Sequence, residues 1–175
     1  MPSPYSPTNV SQYVLWFSSR SITWVEQAKV KHITTCKLSI LYYNARSVLP
    51  KLDEIKAVCC NCAPDIVCIV ESWICGDIGD NEISLPNYSS VRLDRSRHSG
   101  GILMYINDGI PFSIVASGPA GLEIIFVSVL LSNNRGVCLG TFYRPPSDKV
   151  DIFDTLFKVL CSLNSSLFSN LILLG

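Results

Sequence analysis

Three places in the sequence carry polar side chains directly behind runs of apolar, β-branched and aromatic residues. Asn44-Ala45-Arg46-Ser47 follows residues 37–43, Glu71-Ser72-Trp73 follows residues 66–70, and Tyr143-Arg144-Pro145-Pro146 ends the run that begins at Gly136. Each has an ordinary role when taken alone. An Asn after a strand supports a turn through its side chain, and a Glu after an apolar run is the first solvated position. A Tyr at a strand end buries its ring and keeps its hydroxyl in water, and an Arg before two prolines is a surface charge. Together, an amide, a carboxylate, a phenol and a guanidinium all leave the same kind of element. Ligands in such sheets bind beyond the carboxyl ends of buried strands.

The chemistry that needs this set is phosphodiester cleavage. Glu71 is the candidate ligand for Mg²⁺, a hard ion that takes oxygen donors and keeps several waters. The metal withdraws charge from phosphoryl and leaving oxygens. Asn44 can orient a water or a phosphate oxygen. Tyr143, with Arg144 beside it, can donate to developing negative charge.

The elements needed to position these groups can be read along the chain. Residues 37–43 suit a strand. A helix follows, with Pro50 near its first turn and Leu52, Ile55, Val58, Cys59 and Cys62 on one face, and Pro64 ends it. Residues 65–70 form a continuous apolar run, as in a strand buried on both faces. Strand, helix and buried strand make a βαβ unit with a right-handed crossover. Short β-rich runs then cover residues 88–93, 101–106, 112–116, 122–131 and 136–143, separated by turn signals such as Asn107-Asp108-Gly109. Tight turns between short strands imply antiparallel pairing. Gly100-Gly101 permits a bend or a close backbone approach.

A second helix is expected after Pro145-Pro146, with Ser147 as its N-cap. Its buried stripe would be Val150, Phe153, Leu156, Phe157, Leu160 and Leu163. Residues 170–175 read as a buried strand. The expected class is α+β, and the mixture of helices with antiparallel strands suggests a layered sandwich.

Composition narrows the function classes. The chain has 175 residues, 48% hydrophobic, with 14 Lys+Arg against 14 Asp+Glu. Mean hydropathy is +0.32. That apolar content can offset folding entropy over most of the chain. A net charge of zero offers no general attraction to nucleic acid, although a local basic groove is compatible with it. No run approaches the roughly 18 apolar residues of a membrane span, and the N-terminus lacks the features of a signal peptide. The expected location is intracellular, in cytoplasm or nucleus, with the eight cysteines as reduced thiols. Cys59 and Cys62 have C-x-x-C spacing, but a closed zinc site needs two more ligands and no second pair exists. His32 and His98 read as solvated loop residues. Residues 1–35 read as a poorly ordered extension with a short helix near residues 24–31, and residues 36–175 as the ordered domain.

Several segments, taken in order, resemble a known family. They are Asn44-Ala-Arg-Ser47, Pro64-Asp-Ile-Val-Cys-Ile-Val-Glu-Ser-Trp73, Leu85-Pro-Asn-Tyr88, Arg92-Leu-Asp-Arg95, Ser99-Gly-Gly-Ile-Leu-Met-Tyr-Ile106 and Gly140-Thr-Phe-Tyr-Arg-Pro-Pro146. The series resembles the endonuclease/exonuclease/phosphatase domain, and more closely its branch in LINE-type (non-LTR) retrotransposons. There the domain nicks target DNA so that the exposed 3′-hydroxyl primes reverse transcription. The resemblance covers roughly residues 37–175.

The resemblance implies a Mg²⁺-dependent hydrolase acting on DNA, built as the N-terminal portion of a four-layer α/β/β/α sandwich. By position it makes Asn44 the active-site amide, Glu71 the Mg²⁺ ligand and Tyr143 the phosphate-contacting tyrosine, with Arg144 a weaker phosphate or DNA contact. Family members usually read Glu-Thr-Trp at Glu71-Ser72-Trp73, a change that keeps the hydroxyl. Leu173-Leu174-Gly175 resembles the approach to the family's Gly-Asp-Phe-Asn motif. That motif and the later Ser-Asp-His motif are absent from these residues, as is any reverse-transcriptase region. The resemblance therefore implies a partial domain with little activity alone. The alternatives are a non-catalytic remnant of a transposable-element reading frame, or a phospholipid or phosphoinositide phosphodiesterase of the same superfamily.

Overall fold

The computed structural model describes residues 14–18, 21–22, 38–118, 122–131, 136–145, 152–163 and 170–175. Two sheets organise them. The first has strands β1 (Val14–Ser18), β2 (Ser21–Ile22), β3 (Ile40–Asn44), β4 (Ile66–Val70), β5 (Tyr88–Leu93) and β6 (Ile102–Asn107), in the order β2-β1-β3-β4-β6-β5. The second has β7 (Phe112–Ser117), β8 (Glu123–Leu130), β9 (Gly136–Tyr143) and β10 (Asn170–Leu174), in the order β10-β9-β8-β7.

The helix α1 (Leu52–Cys62) connects β3 to β4, which pair in parallel as a βαβ unit should. A turn of 3₁₀ helix with Pro50 in it leads into α1, and Ala63, in the left-handed conformation, caps its end. All five residues of β4 are buried because it lies inside the first sheet and both of its faces are covered. The pairs β5–β6, β7–β8 and β8–β9 are antiparallel, as the short connections require.

Side-chain alternation sorts the strands into layers. Leu41, Tyr43, Val67, Ile69, Leu103 and Tyr105 face α1 and pack on Leu52, Ile55 and Cys59. The residues between them in sequence point the other way. Ile40, Tyr42, Ile66, Cys68 and Met104 pack on Ile125, Val127, Val137 and Leu139 of the second sheet. The outer face of that sheet, with Ile124, Phe126 and Cys138, packs on Ile152, Leu156 and Val159 of the helix α2 (Ile152–Ser162). The order of layers is helix, sheet, sheet, helix. This is the α+β class that the element order suggested and the α/β/β/α layering that the resemblance implied.

Four details differ from the sequence-based expectations. Val14–Ser18 and Ser21–Ile22, inside the segment expected to be a poorly ordered extension, are strands: β1 runs parallel to β3 from Val14 opposite Ile40 to Phe17 opposite Tyr43. The first sheet has an open edge at β3, and a short apolar run suffices to pair with it. The helix expected near residues 24–31 lies outside the described residues, as do Ser147 and Val150. Phe153 and Phe157 are exposed, at 58% and 67%, so the buried stripe of α2 is Ile152, Leu156 and Val159 with Leu160 and Leu163 partly buried. The helix is apolar on most of its circumference, and packing selects a stripe one residue round from the one expected. Cys62, the last residue of α1, is exposed rather than buried. Lastly, β10 is half-buried, with Leu171 and Leu173 exposed at 42% and 40%; among the described residues its strand neighbour is β9 alone.

Candidate active site

Residue spacing in three connections brings the candidate groups together. Asn44 is the last residue of β3, Glu71 follows β4 directly, and Tyr143 is the last residue of β9. Asn44 and Val70 are register partners, so the chain leaves β3 and β4 side by side at the same level. The backbone then stitches the two connections: Ala45 N–H donates to Val70 O at 2.9 Å, Ser47 N–H to Glu71 O at 2.9 Å and Val48 N–H to Ser72 O at 3.0 Å. From the other side, Ser72 N–H donates to Gly101 O and Trp73 N–H to Gly100 O, both at 3.1 Å.

The bend so formed is strained. Arg46, Ser47, Glu71 and Trp73 all have positive φ, at 43°, 81°, 52° and 54°. Such conformations cost of order 1–3 kcal/mol each and persist only where the surroundings over-determine them. Here four backbone hydrogen bonds from Ser47, Val48, Ser72 and Trp73 do so. The effect is to turn the Glu71 side chain away from the strand direction toward its partners.

Those partners are Asn44 and Tyr143. Asn44 Nδ2 donates to Glu71 Oε1 at 3.2 Å, and the Tyr143 hydroxyl donates to the same oxygen at 3.1 Å. Tyr143 arrives from the second sheet, so Glu71 is a contact between the sheets at the mouth of the sandwich. Burial first, and then the bond to the Glu71 carboxylate, push the Tyr143 phenol up to about 12. It is therefore a neutral hydrogen-bond donor at physiological pH. Beneath it, buried Tyr42 is pushed up to about 12, by burial first and then by Cys68, Glu71 and Tyr143.

Both of these donors fall on Oε1 of Glu71, and among the described residues no hydrogen bond reaches Oε2. Asn44 Oδ1 is buried with no hydrogen-bond partner. A buried acceptor without a donor is costly. An oxygen-seeking cation relieves that cost, and a carboxylate with a carboxamide oxygen is the hard donor set Mg²⁺ accepts, water completing its shell. Asn44 and Glu71 thus fit a Mg²⁺ ion. Among the described residues no cluster of three or more His, Cys, Asp or Glu side chains is arranged around a metal-sized point.

Arg144 is exposed and does not join the Glu71 cluster; its guanidinium lies over the Phe153 ring, 5.6 Å from the centroid. His98 is exposed in the connection before β6. A cavity of about 340 Å³ opens beside Tyr143, with Asp94, Arg95 and Glu123 on its polar side and Leu93, Leu122 and Pro145 on its apolar side. That is the lower end of the roughly 300–1,000 Å³ typical of ligand sites.

The residues around the bend were not singled out from sequence as site residues. Gly100 and Gly101 gave a signal, since two successive glycines permit a close approach, and both have positive φ, at 67° and 82°. A Cβ on Gly101 would lie 2.6 Å from Ser72 Oγ. Glu123 gave none, because its partners lie 22 and 28 residues away in sequence.

No protein-family model and no curated protein matches the sequence. Solved structures do match. A functionally unknown conserved protein from Enterococcus faecalis has a TM-score of 0.53 and 8% identity over 77% of this chain and 65% of its own. The AP endonuclease LMAP from Leishmania major has a TM-score of 0.49 and 16% identity over 69% of this chain and 44% of its own. The catalytic domain of Xenopus laevis APE2 has a TM-score of 0.49 and 14% identity, over 73% and 53%. The chain spans about half the length of the AP endonucleases it matches. At these identities the likeness concerns the fold, a two-sheet α+β sandwich shared with the Enterococcus faecalis protein.

Proposed function

We propose that the chain carries the metal- and phosphate-binding part of a Mg²⁺-dependent phosphodiesterase domain of the endonuclease/exonuclease/phosphatase type, whose substrate is DNA. The observation that carries this reading is the meeting of Asn44, Glu71 and Tyr143 on one carboxylate oxygen. These three residues belong to separate sequence motifs up to 99 positions apart. Within that family, the motif series favours the LINE-type retrotransposon branch over a lipid phosphodiesterase.

When bound by Glu71 and Asn44, Mg²⁺ would supply charge withdrawal from a phosphoryl oxygen. The chain's own groups do the rest. Tyr143, whose single phenolic proton goes to Glu71 Oε1 in the free chain, would turn that proton to a non-bridging phosphate oxygen when substrate binds. The stitched bends at 44–48 and 71–73 hold Asn44 and Glu71 without the reorganisation a mobile loop would need. The cavity beside Tyr143 gives the neighbouring part of the strand a place to lie. Arg144 contributes charge at the rim rather than at the reacting phosphate.

Hydrolysis also needs a group that takes a proton from the attacking water. The sequence contains neither Gly-Asp-Phe-Asn nor Ser-Asp-His, and exposed His98 is not a member of the Glu71 cluster. We therefore infer that these 175 residues bind but cleave poorly. The test is fluorescence anisotropy of a labelled DNA duplex with and without Mg²⁺, paired with a supercoiled-plasmid assay on the same samples. Mg²⁺-dependent binding that is lost in Glu71→Ala, with little nicking, is expected. Binding indifferent to both Mg²⁺ and Glu71→Ala would remove the proposal. Robust nicking abolished by Glu71→Ala would keep the site and overturn the inference of low activity.

A further inference from the structure

Glu123 is a charged side chain, 15% exposed, that the mechanism above does not use. It starts β8, directly opposite Tyr143 in register, yet its carboxylate points at the first sheet. There Oε2 accepts the Gly101 N–H at 2.8 Å, while Oε1 pairs with the Arg95 guanidinium. The Gly101 N–H belongs to the same peptide group as the Gly100 carbonyl, and that carbonyl accepts the Trp73 N–H. One peptide plane thus joins Glu123 to the bend that carries Glu71. A negative charge on the N–H end of a peptide polarises it and strengthens the carbonyl as an acceptor. The glycines are required by the same geometry. A Cβ on Gly100 would lie 2.5 Å from Glu123 Oε2, and on Gly101 2.6 Å from Ser72 Oγ.

We propose that Glu123 is a positioning residue for the metal site: acting through the Gly100–Gly101 peptide, it holds the 71–73 bend in the backbone conformation that presents Glu71 to a divalent cation. The proposal rests on the reading of Glu71 as a metal ligand given above. Arg95 neutralises Glu123 and keeps its carboxylate aimed at the amide. The link crosses from the second sheet to the first, so the metal ligand and its phosphate partner Tyr143 are set by the same strand pair, β8 and β9.

The experiment is Mn²⁺ binding to the 175-residue chain, read from the free-ion electron paramagnetic resonance signal, with thermal unfolding measured in parallel so that every variant is titrated while folded. Glu71→Gln is the control for the underlying reading. If it binds Mn²⁺ as the parent chain does, the metal site itself is wrong. If it loses binding, the remaining variants test Glu123. Outer partners of metal ligands typically contribute 10–100-fold to affinity, so Glu123→Ala is expected to weaken Mn²⁺ at least about tenfold. Gly101→Ala, whose Cβ would lie 2.6 Å from Ser72 Oγ and so displace the same peptide from the bend, is expected to do the same. Glu123→Gln keeps an oxygen for the Gly101 amide and is expected to recover part of the loss. It also stands in for Glu123→Ala should that variant not fold, with a smaller loss expected in the same direction. Unchanged Mn²⁺ affinity in a folded Glu123 variant, whatever its melting temperature, would overturn the proposal and leave Glu123 a purely structural tie.

Discussion

At the scale of single residues, the site is a carboxylate whose hydrogen bonds leave room for something else. Glu71 takes two donors on one oxygen, and Asn44 Oδ1, buried, has no donor. Removing one donor separates binding from stability. Tyr143→Phe keeps the ring and deletes a hydroxyl bond in a half-buried setting, so it is expected to change unfolding free energy by about 1 kcal/mol or less. The same change is expected to weaken Mg²⁺-dependent DNA binding, because the proposed function makes the phenol the donor for phosphate. Urea unfolding and the anisotropy titration, run on one preparation, check the two halves. Asn44, Glu71 and Tyr143 stand out as candidates in the sequence because each lies at the end of a strand-like run. Their contacts do not, since Glu71 and Tyr143 are 72 residues apart and no local pattern encodes that distance. Arg92 and Arg95 show the same limit. They sit in one short motif, yet Arg92 bonds Asp94, Asp80 and the Ile78 carbonyl, while Arg95 crosses to Glu123 on the second sheet.

At the scale of elements, strands buried on both faces could be read directly, and β4 and β6 match the apolar runs to within a residue or two. Elements with apolar residues all round could not be oriented. The helix α2 presents Ile152, Leu156 and Val159 inward and leaves Phe153 and Phe157 out, a choice set by the sheet beneath it. β1 has no comparable local signature, because its pairing depends on an edge that only the fold creates. The second sheet offers a sharper case. Gly140 stands in register with Phe126 on β8 and Leu173 on β10. A Cβ there would meet the Phe126 ring at 2.6 Å and Leu173 Cδ1 at 2.8 Å. Gly140→Ala is accordingly expected to destabilise the chain by about 1–3 kcal/mol through overpacking. Denaturant unfolding measures the loss, and an unchanged midpoint would mean that β10 does not pack on β9 as described.

At the scale of the whole molecule, the layers enclose thiols and phenols that burial keeps protonated. Burial raises Cys68 to about 12 from an ordinary 9.0, offset in part by the Thr141 hydroxyl, and raises Cys138 to about 11. Tyr42 and Tyr88, also raised chiefly by burial, reach about 12 from 10.0. The folded chain holds these protons more tightly than the unfolded one. Their contribution to stability is complete below about pH 9, and it is lost as pH rises through roughly 9 to 12. Urea midpoints measured at pH 8, 10 and 11 are expected to fall in that order, with little change between pH 7 and 8. Among the described residues no helix is long and apolar enough to cross a membrane. Part of the layering was legible, because continuous apolar runs such as β4 must be covered on both faces, while the α/β/β/α order came from the resemblance. The central claim is that Asn44 and Glu71 form a divalent-metal site between the two sheets. Calorimetric titration of Mg²⁺ into the parent chain, Asn44→Ala and Glu71→Gln tests it most directly. Saturable binding of one ion to the parent chain, weakened in Asn44→Ala and abolished in Glu71→Gln while both variants stay folded, is the expected result. Equal Mg²⁺ binding by all three chains, or none by the parent, would contradict it.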